Sequence, residues 1–175
     1  MRLGTPKAHH AGAGEHSARP ASLEVVMVTQ GPTHVSRIYM RATPDEIWDA
    51  LVDPHLTRLY FYDADVECAA WKPGEHYRYM QVGLPIVEGT VLEVDEPHRL
   101  VCSFQARWDE GVAGDPPSRI TWEINPQPNG VCEVRVLNDG FFGVTPTFNR
   151  VSSGMTFLLS GLKTVVETGQ PMVAG

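Results

Sequence analysis

Histidine, cysteine, carboxylate and hydroxyl groups carry most protein chemistry, and their spacing in this chain excludes several kinds of site. The seven histidines, His9, His10, His16, His34, His55, His76 and His98, form no i, i+4 pair and have no Cys-x-x-Cys companion. The ligand spacing of a metal centre is therefore missing. Neither a Gly-rich phosphate loop nor a serine nucleophile elbow occurs, which removes the usual anchors for nucleotide binding and acyl transfer. No cofactor is expected. Cys68, Cys102 and Cys132 are odd in number and lie in apolar, strand-like runs, the pattern of reduced core thiols.

Among other titratable groups, Glu75, Glu88, Arg78 and Asp139 read as solvated charges at strand edges, so no catalytic set emerges. Asn138 is the more informative polar residue. It follows Val134 and Val136 at a spacing of two, which turns its amide toward the interior, where it would orient a ligand carbonyl or hydroxyl. The competing reading is a cap on the Asp139-Gly140 turn. Around Tyr77 the face is undecided: either His76 and Arg78 or Tyr77 and Tyr79 point inward. Trp48, Trp71, Trp108 and Trp122 with Phe104, Phe141 and Phe157 supply aromatic surface, mostly as core, with Phe104 and Trp122 the preferred liners of a pocket. The polar loop Asp109–Pro117 behind Trp108 has the composition of a pocket-rim lid or of a plain hairpin excursion.

These residues need elements to position them. Val35–Ala42 is β-branched and aromatic, as a strand requires. Thr43-Pro44-Asp45-Glu46 then combines an N-cap hydroxyl, a proline at the first helical position and a carboxylate three residues on. Asp53-Pro54 repeats the device for a second short helix through Leu59. Strand-length runs follow at 65–71, 75–82, 88–95, 99–106, 118–125 and 131–139, separated by turns such as Lys72-Pro73-Gly74 and Asn129-Gly130. Connections this short imply antiparallel neighbours. Leu100, Cys102, Phe104, Ile120, Trp122, Ile124, Val134 and Val136 alternate with Arg99, Arg119, Glu123, Glu133 and Arg135, giving one buried and one wet face. From Ser152 onward Met155, Leu158, Leu159, Leu162, Val165 and Val166 form one helical stripe, closed by Gly169 and Pro171. That helix covers the buried face.

Composition fits one globular domain: 175 residues, 42% hydrophobic and 20% charged. With 14 basic and 21 acidic residues the formal charge is −7, which argues against nucleic acid as a partner. No run approaches the ~20 apolar residues of a membrane span. Residues 1–30 read as a disordered or extended tail, with Met27 an alternative start, 31–170 as the folded domain, and 171–175 as a C-terminal tail. With no secretory signal, a cytoplasmic location is expected.

Four segments carry a resemblance: Thr43-Pro44-Asp45-Glu46-Ile47-Trp48-Asp49-Ala50-Leu51-Val52-Asp53-Pro54, Gly89-Thr90-Val91-Leu92-Glu93-Val94-Asp95-Glu96-Pro97, Leu137-Asn138-Asp139-Gly140-Phe141 and the helical run Leu159–Gly169. Together they resemble bacterial proteins related to the activator of heat-shock-protein-90 ATPase, within the START/Bet v 1-like (SRPBCC) superfamily. The resemblance implies an α+β helix-grip fold, with a curved seven-stranded antiparallel sheet around a long C-terminal helix and a pocket that in relatives receives lipids, sterols or polyketides. A small hydrophobic ligand is the expected partner, held by Phe104, Trp122, Val136, Asn138, Met155, Leu158, Leu159 and Leu162. A polyketide cyclase-like enzyme and a chaperone-contacting protein are the alternatives on the same fold, and a homodimer is compatible with either.

Overall fold

The computed structural model describes residues 31–173; the expected tail, residues 1–30, and Met27 lie outside them. Strand β1 (His34–Met40) leads into Thr43, whose extended backbone (φ −81°, ψ 159°) caps helix α1 (Pro44–Val52). The Thr43 hydroxyl accepts from the Glu46 N–H at 3.3 Å and the Glu46 carboxylate accepts from the Thr43 N–H at 2.8 Å, so two otherwise orphaned donors are satisfied reciprocally. Those bonds from Thr43, the backbone one first, hold the Glu46 carboxyl below its ordinary value. Asp53 starts α2 (Pro54–Arg58) in a similar way, accepting from the N–H groups of His55 at 2.7 Å and Leu56 at 3.3 Å.

Six strands follow, β2 (Asp65–Cys68), β3 (His76–Gln81), β4 (Leu84–Asp95), β5 (Arg99–Ala106), β6 (Ser118–Gln127) and β7 (Val131–Asp139), with the short helix α3 (Glu110–Ala113) between β5 and β6. They build one seven-stranded sheet in the order β1-β7-β6-β5-β4-β3-β2, with every pairing antiparallel. Register shifts at Tyr79/Met80 and Val91/Glu93 bend the sheet where β4 crosses from β3 to β5. The outer face carries a charge ladder: Glu123 on β6 accepts from Arg99 on β5 and Arg135 on β7, each at 2.7 Å. The inner face is apolar. Helix α4 (Pro146–Thr168) lies against it, burying Val151, Met155, Leu158, Leu159, Leu162 and Val165. Among the described residues no helix is long and apolar enough to cross a membrane.

Several boundaries differ from those read in the sequence, each for a local reason. Strand β4 begins at Leu84 rather than Glu88, because Val82 and Gly83 both adopt positive φ (49° and 77°) and close a two-residue hairpin. Pro85 is tolerated inside that strand because it sits at the register shift opposite Met80. The last helix starts at Pro146, not Ser152. Its N-cap is Thr145, whose hydroxyl accepts from the Phe148 N–H at 3.1 Å, and its first turns lack the apolar stripe that marks the rest. Strand β2 stops at Cys68, where its pairing with β3 ends, rather than at Trp71.

The far end of α4 is tied to the sheet edge. Lys163 Nζ donates to the Tyr39 carbonyl and to Glu167 Oε1, and Glu167 Oε1 accepts from the Arg41 N–H, all at 2.7 Å.

Candidate functional site

Side-chain alternation on the bent sheet and the early turns of α4 leave a space between them. On β5 and β6, Phe104, Ile120 and Trp122 point inward and are nearly fully buried. Across from them, Val151, Gly154, Met155 and Leu158 on α4 present a surface that includes one residue with no side chain at all. Between these walls lies a cavity of about 430 Å³, which falls in the range of small-molecule sites. Phe61 and Tyr62, from the segment after α2, and Gln81 and Ile86, flanking the β3–β4 hairpin, form a third side. Trp108, Arg150 and Ser153 complete the rim.

The aromatic wall is braced by direct stacking. Phe61 lies on Tyr79 with ring centroids 3.9 Å apart and planes 13° from parallel, and Tyr79 meets Tyr77 edge-on at 6.0 Å. The strand β3 ambiguity is thereby resolved: Tyr77 and Tyr79 are buried on the inner side, while His76 and Arg78 are exposed. The Tyr77 hydroxyl donates to the Ser103 carbonyl at 2.8 Å, and burial raises the pKa of both phenols. They stay protonated and neutral. Burial likewise pushes the Cys102 thiol up to about 12, so it behaves as a small apolar residue. A second void of about 20 Å³ lies among Leu100, Cys102, Trp71 and these tyrosines, and Phe61, Phe104, Ile120 and Trp122 stand between it and the larger cavity.

The rim is anchored rather than loose. Asp109 caps α3, accepting from the Val112 N–H at 3.1 Å, and Asp115 accepts from the Thr147 N–H at 2.7 Å at the start of α4. Gln105 holds the same loop by donating to the Asp115 carbonyl at 2.8 Å. Phe104 and Trp108 meet edge to face at 6.2 Å, and Tyr62 stacks on Phe157 at 6.3 Å on the opposite lip.

Of the eight residues expected to hold a ligand, Phe104, Trp122, Met155 and Leu158 line this cavity. Val136, Leu159 and Leu162 do not; they are 0%, 3% and 0% exposed and belong to the closed core one step further along the sheet and helix. Asn138 is also absent from the lining. Its amide is fully buried, beside Ile120 in register, and neither its oxygen nor its nitrogen has a hydrogen-bond partner. It therefore points inward, as alternation required, and makes no side-chain cap to the Asp139-Gly140 turn.

Sequence reasoning did not pick out Phe61, Tyr62, Gln81, Ile86, Arg150, Val151, Ser153 or Gly154. A usable signal existed in Ser152-Ser153-Gly154, three small residues on a helix otherwise carrying Met, Leu and Val toward the sheet.

The model of a protein family described as Activator of Hsp90 ATPase homolog 1-like protein matches residues 41–167. The chain belongs to that family. Among solved structures it is similar to a protein from Mesorhizobium loti, at 21% identity and a TM-score of 0.62 over 77% of this chain and 96% of the other. An Aha1 dimer from Colwellia psychrerythraea matches at 16% identity and TM-score 0.62, covering 79% of this chain and 98% of that one. An HSP90 activator from Plasmodium falciparum matches at 19% and 0.61, with 81% and 99% covered. Identities this low establish the helix-grip fold and nothing finer. No curated protein matches significantly in sequence.

Proposed function

We propose that this protein binds a small hydrophobic molecule in the cavity between the first half of α4 and the inner face of the sheet. The observation that carries the reading is the 430 Å³ of apolar, aromatic-walled space opened at the rim by Tyr62 and Trp108. Burial of ligand carbon there supplies the driving force, at ~25 cal/mol per Å² before the costs of association. Among the described residues the lining holds no carboxylate, imidazole, thiol or amine, and burial raises the pKa of its one phenol, Tyr62, so it offers a container more readily than a general acid or base. A cyclase-like reaction on the same fold would need such a group brought in from elsewhere.

The test is fluorescence titration of the full chain with N-phenyl-1-naphthylamine, a neutral apolar probe, alongside native mass spectrometry of protein purified from its own host. Saturable binding that Val151→Trp abolishes supports the cavity; equal binding by the filled variant would place the probe elsewhere and sink the reading.

Family membership supports a second reading, contact with an Hsp90-class chaperone. Phe142 and Val144, 82% and 69% exposed in the segment between β7 and α4, are the surface that favours it. Stimulation of such a chaperone's ATPase, lost in Phe142→Ser, is the outcome it requires.

A further inference from the structure

Among the described residues Arg150 is the sole formal charge in the cavity lining, at the rim where the apolar walls end. A guanidinium has five N–H donors and no acceptor. Among the described residues those donors make no hydrogen bond; Arg150 forms one long ion pair, with Asp109 Oδ2 at 3.7 Å, and the other oxygen of Asp109 already accepts from the Val112 N–H.

Two neighbouring polar groups at the rim are committed elsewhere. The Ser153 hydroxyl donates to the Arg150 carbonyl at 3.1 Å, and the Gln81 amide donates to the Tyr62 carbonyl. A cation in the second turn from a helix N-terminus gains nothing from the helix dipole. Its position is therefore not explained by the stability of α4. What the geometry provides is an apolar chamber with one cationic fork at its mouth, paired at long range with Asp109 but with its hydrogen bonds unmade.

From this we infer that the cavity selects molecules with an apolar body and a single anionic head, such as a medium-chain or aromatic carboxylate, and that Arg150 holds the head at the rim. The inference rests on the proposed binding function and narrows its ligand class. A carboxylate would pair with the guanidinium through two parallel hydrogen bonds while its carbon chain lies against Phe104, Trp122 and Leu158. Because Arg150 stays largely in water, with 66% of its side chain exposed, the contribution is a preference rather than the main affinity.

Displacement of N-phenyl-1-naphthylamine by decanoate and by decanol, at pH 8 and below their micelle-forming concentrations, separates the two claims. The wild type is expected to be emptied by decanoate at about 5-fold lower concentration than by decanol. Arg150→Gln should erase that difference, and Arg150→Lys should retain part of it. Equal displacement by acid and alcohol, or an acid preference that survives Arg150→Gln, overturns this inference and leaves the cavity intact. Failure of the neutral probe to bind at all overturns the cavity reading and this one with it.

Discussion

Leu162 and Val165, in the second half of α4, sit in a closed core with Ile124, Val134 and Val136, whereas Met155 and Leu158, earlier on the same stripe, border open volume. Within each pair the apolar spacing is the same, three residues. What differs is what flanks it. The second half is met from the side by α1 and by β1, so the core is sealed there. In the first half Ser153 and Gly154 leave the helix thin where it borders the cavity. A hydrophobic pattern thus states which face is buried, while the sizes of its neighbours decide whether that face is filled.

The largest test of this contrast is a matched truncation. Leu162→Ala should cost about 4 kcal/mol, because it opens a new hole in a closed region, and Leu158→Ala only about 2 kcal/mol, because part of its surroundings is already empty. Urea denaturation measures both, and equal losses would remove the distinction between the halves. Asn138 gives the next effect. Its amide is buried without partners beside the cavity-lining Ile120, so Asn138→Leu should raise stability by about 1 kcal/mol. A loss instead would mean that an internal water or a ligand uses the amide.

A smaller contrast comes from two glycines seven residues apart on α4. A methyl at Gly161 would lie 3.1 Å from Tyr60 Cβ, which is fixed near the backbone, while one at Gly154 would meet only the Tyr62 hydroxyl at 3.3 Å, the far end of a side chain that can swing. Gly154→Ala should therefore keep the helix-propensity gain of about 1 kcal/mol, and Gly161→Ala should lose it to strain. Thermal melts of the pair decide the point; a gain at both would show that the closed end has slack.

The smallest effect concerns pH. Glu167 is held below its ordinary value of 4.5, first by the hydrogen bond from Lys163 and then by that from the Arg41 N–H. A depressed carboxyl contributes stability that is full above the unfolded value and fades as pH falls through the lower folded one. For so exposed a group this amounts to a few tenths of a kcal/mol. Glu167→Gln should lower the melting temperature slightly at pH 7 and flatten its decline between about pH 5 and 3; an unchanged pH profile would count against the bond network.

Much of this architecture was legible in the chain. Thr43-Pro44-Asp45-Glu46 announced its own cap, and alternation placed Phe104, Trp122 and Val134 inward and Arg99, Glu123 and Arg135 outward. Signals of this kind are local and repeat along the sequence. The extent of the cavity was not legible, because Phe61, Ile86 and Gly154 come together only through the bend of the sheet, and no periodicity records a missing volume. Val136, Leu159 and Leu162 satisfied the same inward rule as Trp122 and Leu158, and only their neighbours in space separate core from lining.

Lys163 and Glu167 have an effect beyond the helix that carries them. An open sheet ends in a row of spare main-chain donors and acceptors, which invites another molecule to join as an extra strand and so seeds aggregates. Here the Tyr39 carbonyl and the Arg41 N–H at that margin are already taken by a cation and an anion from α4. An incoming strand would have to evict both charges before it could pair there, so growth of the sheet into a fibre is blocked at that corner by the residues that fasten the helix.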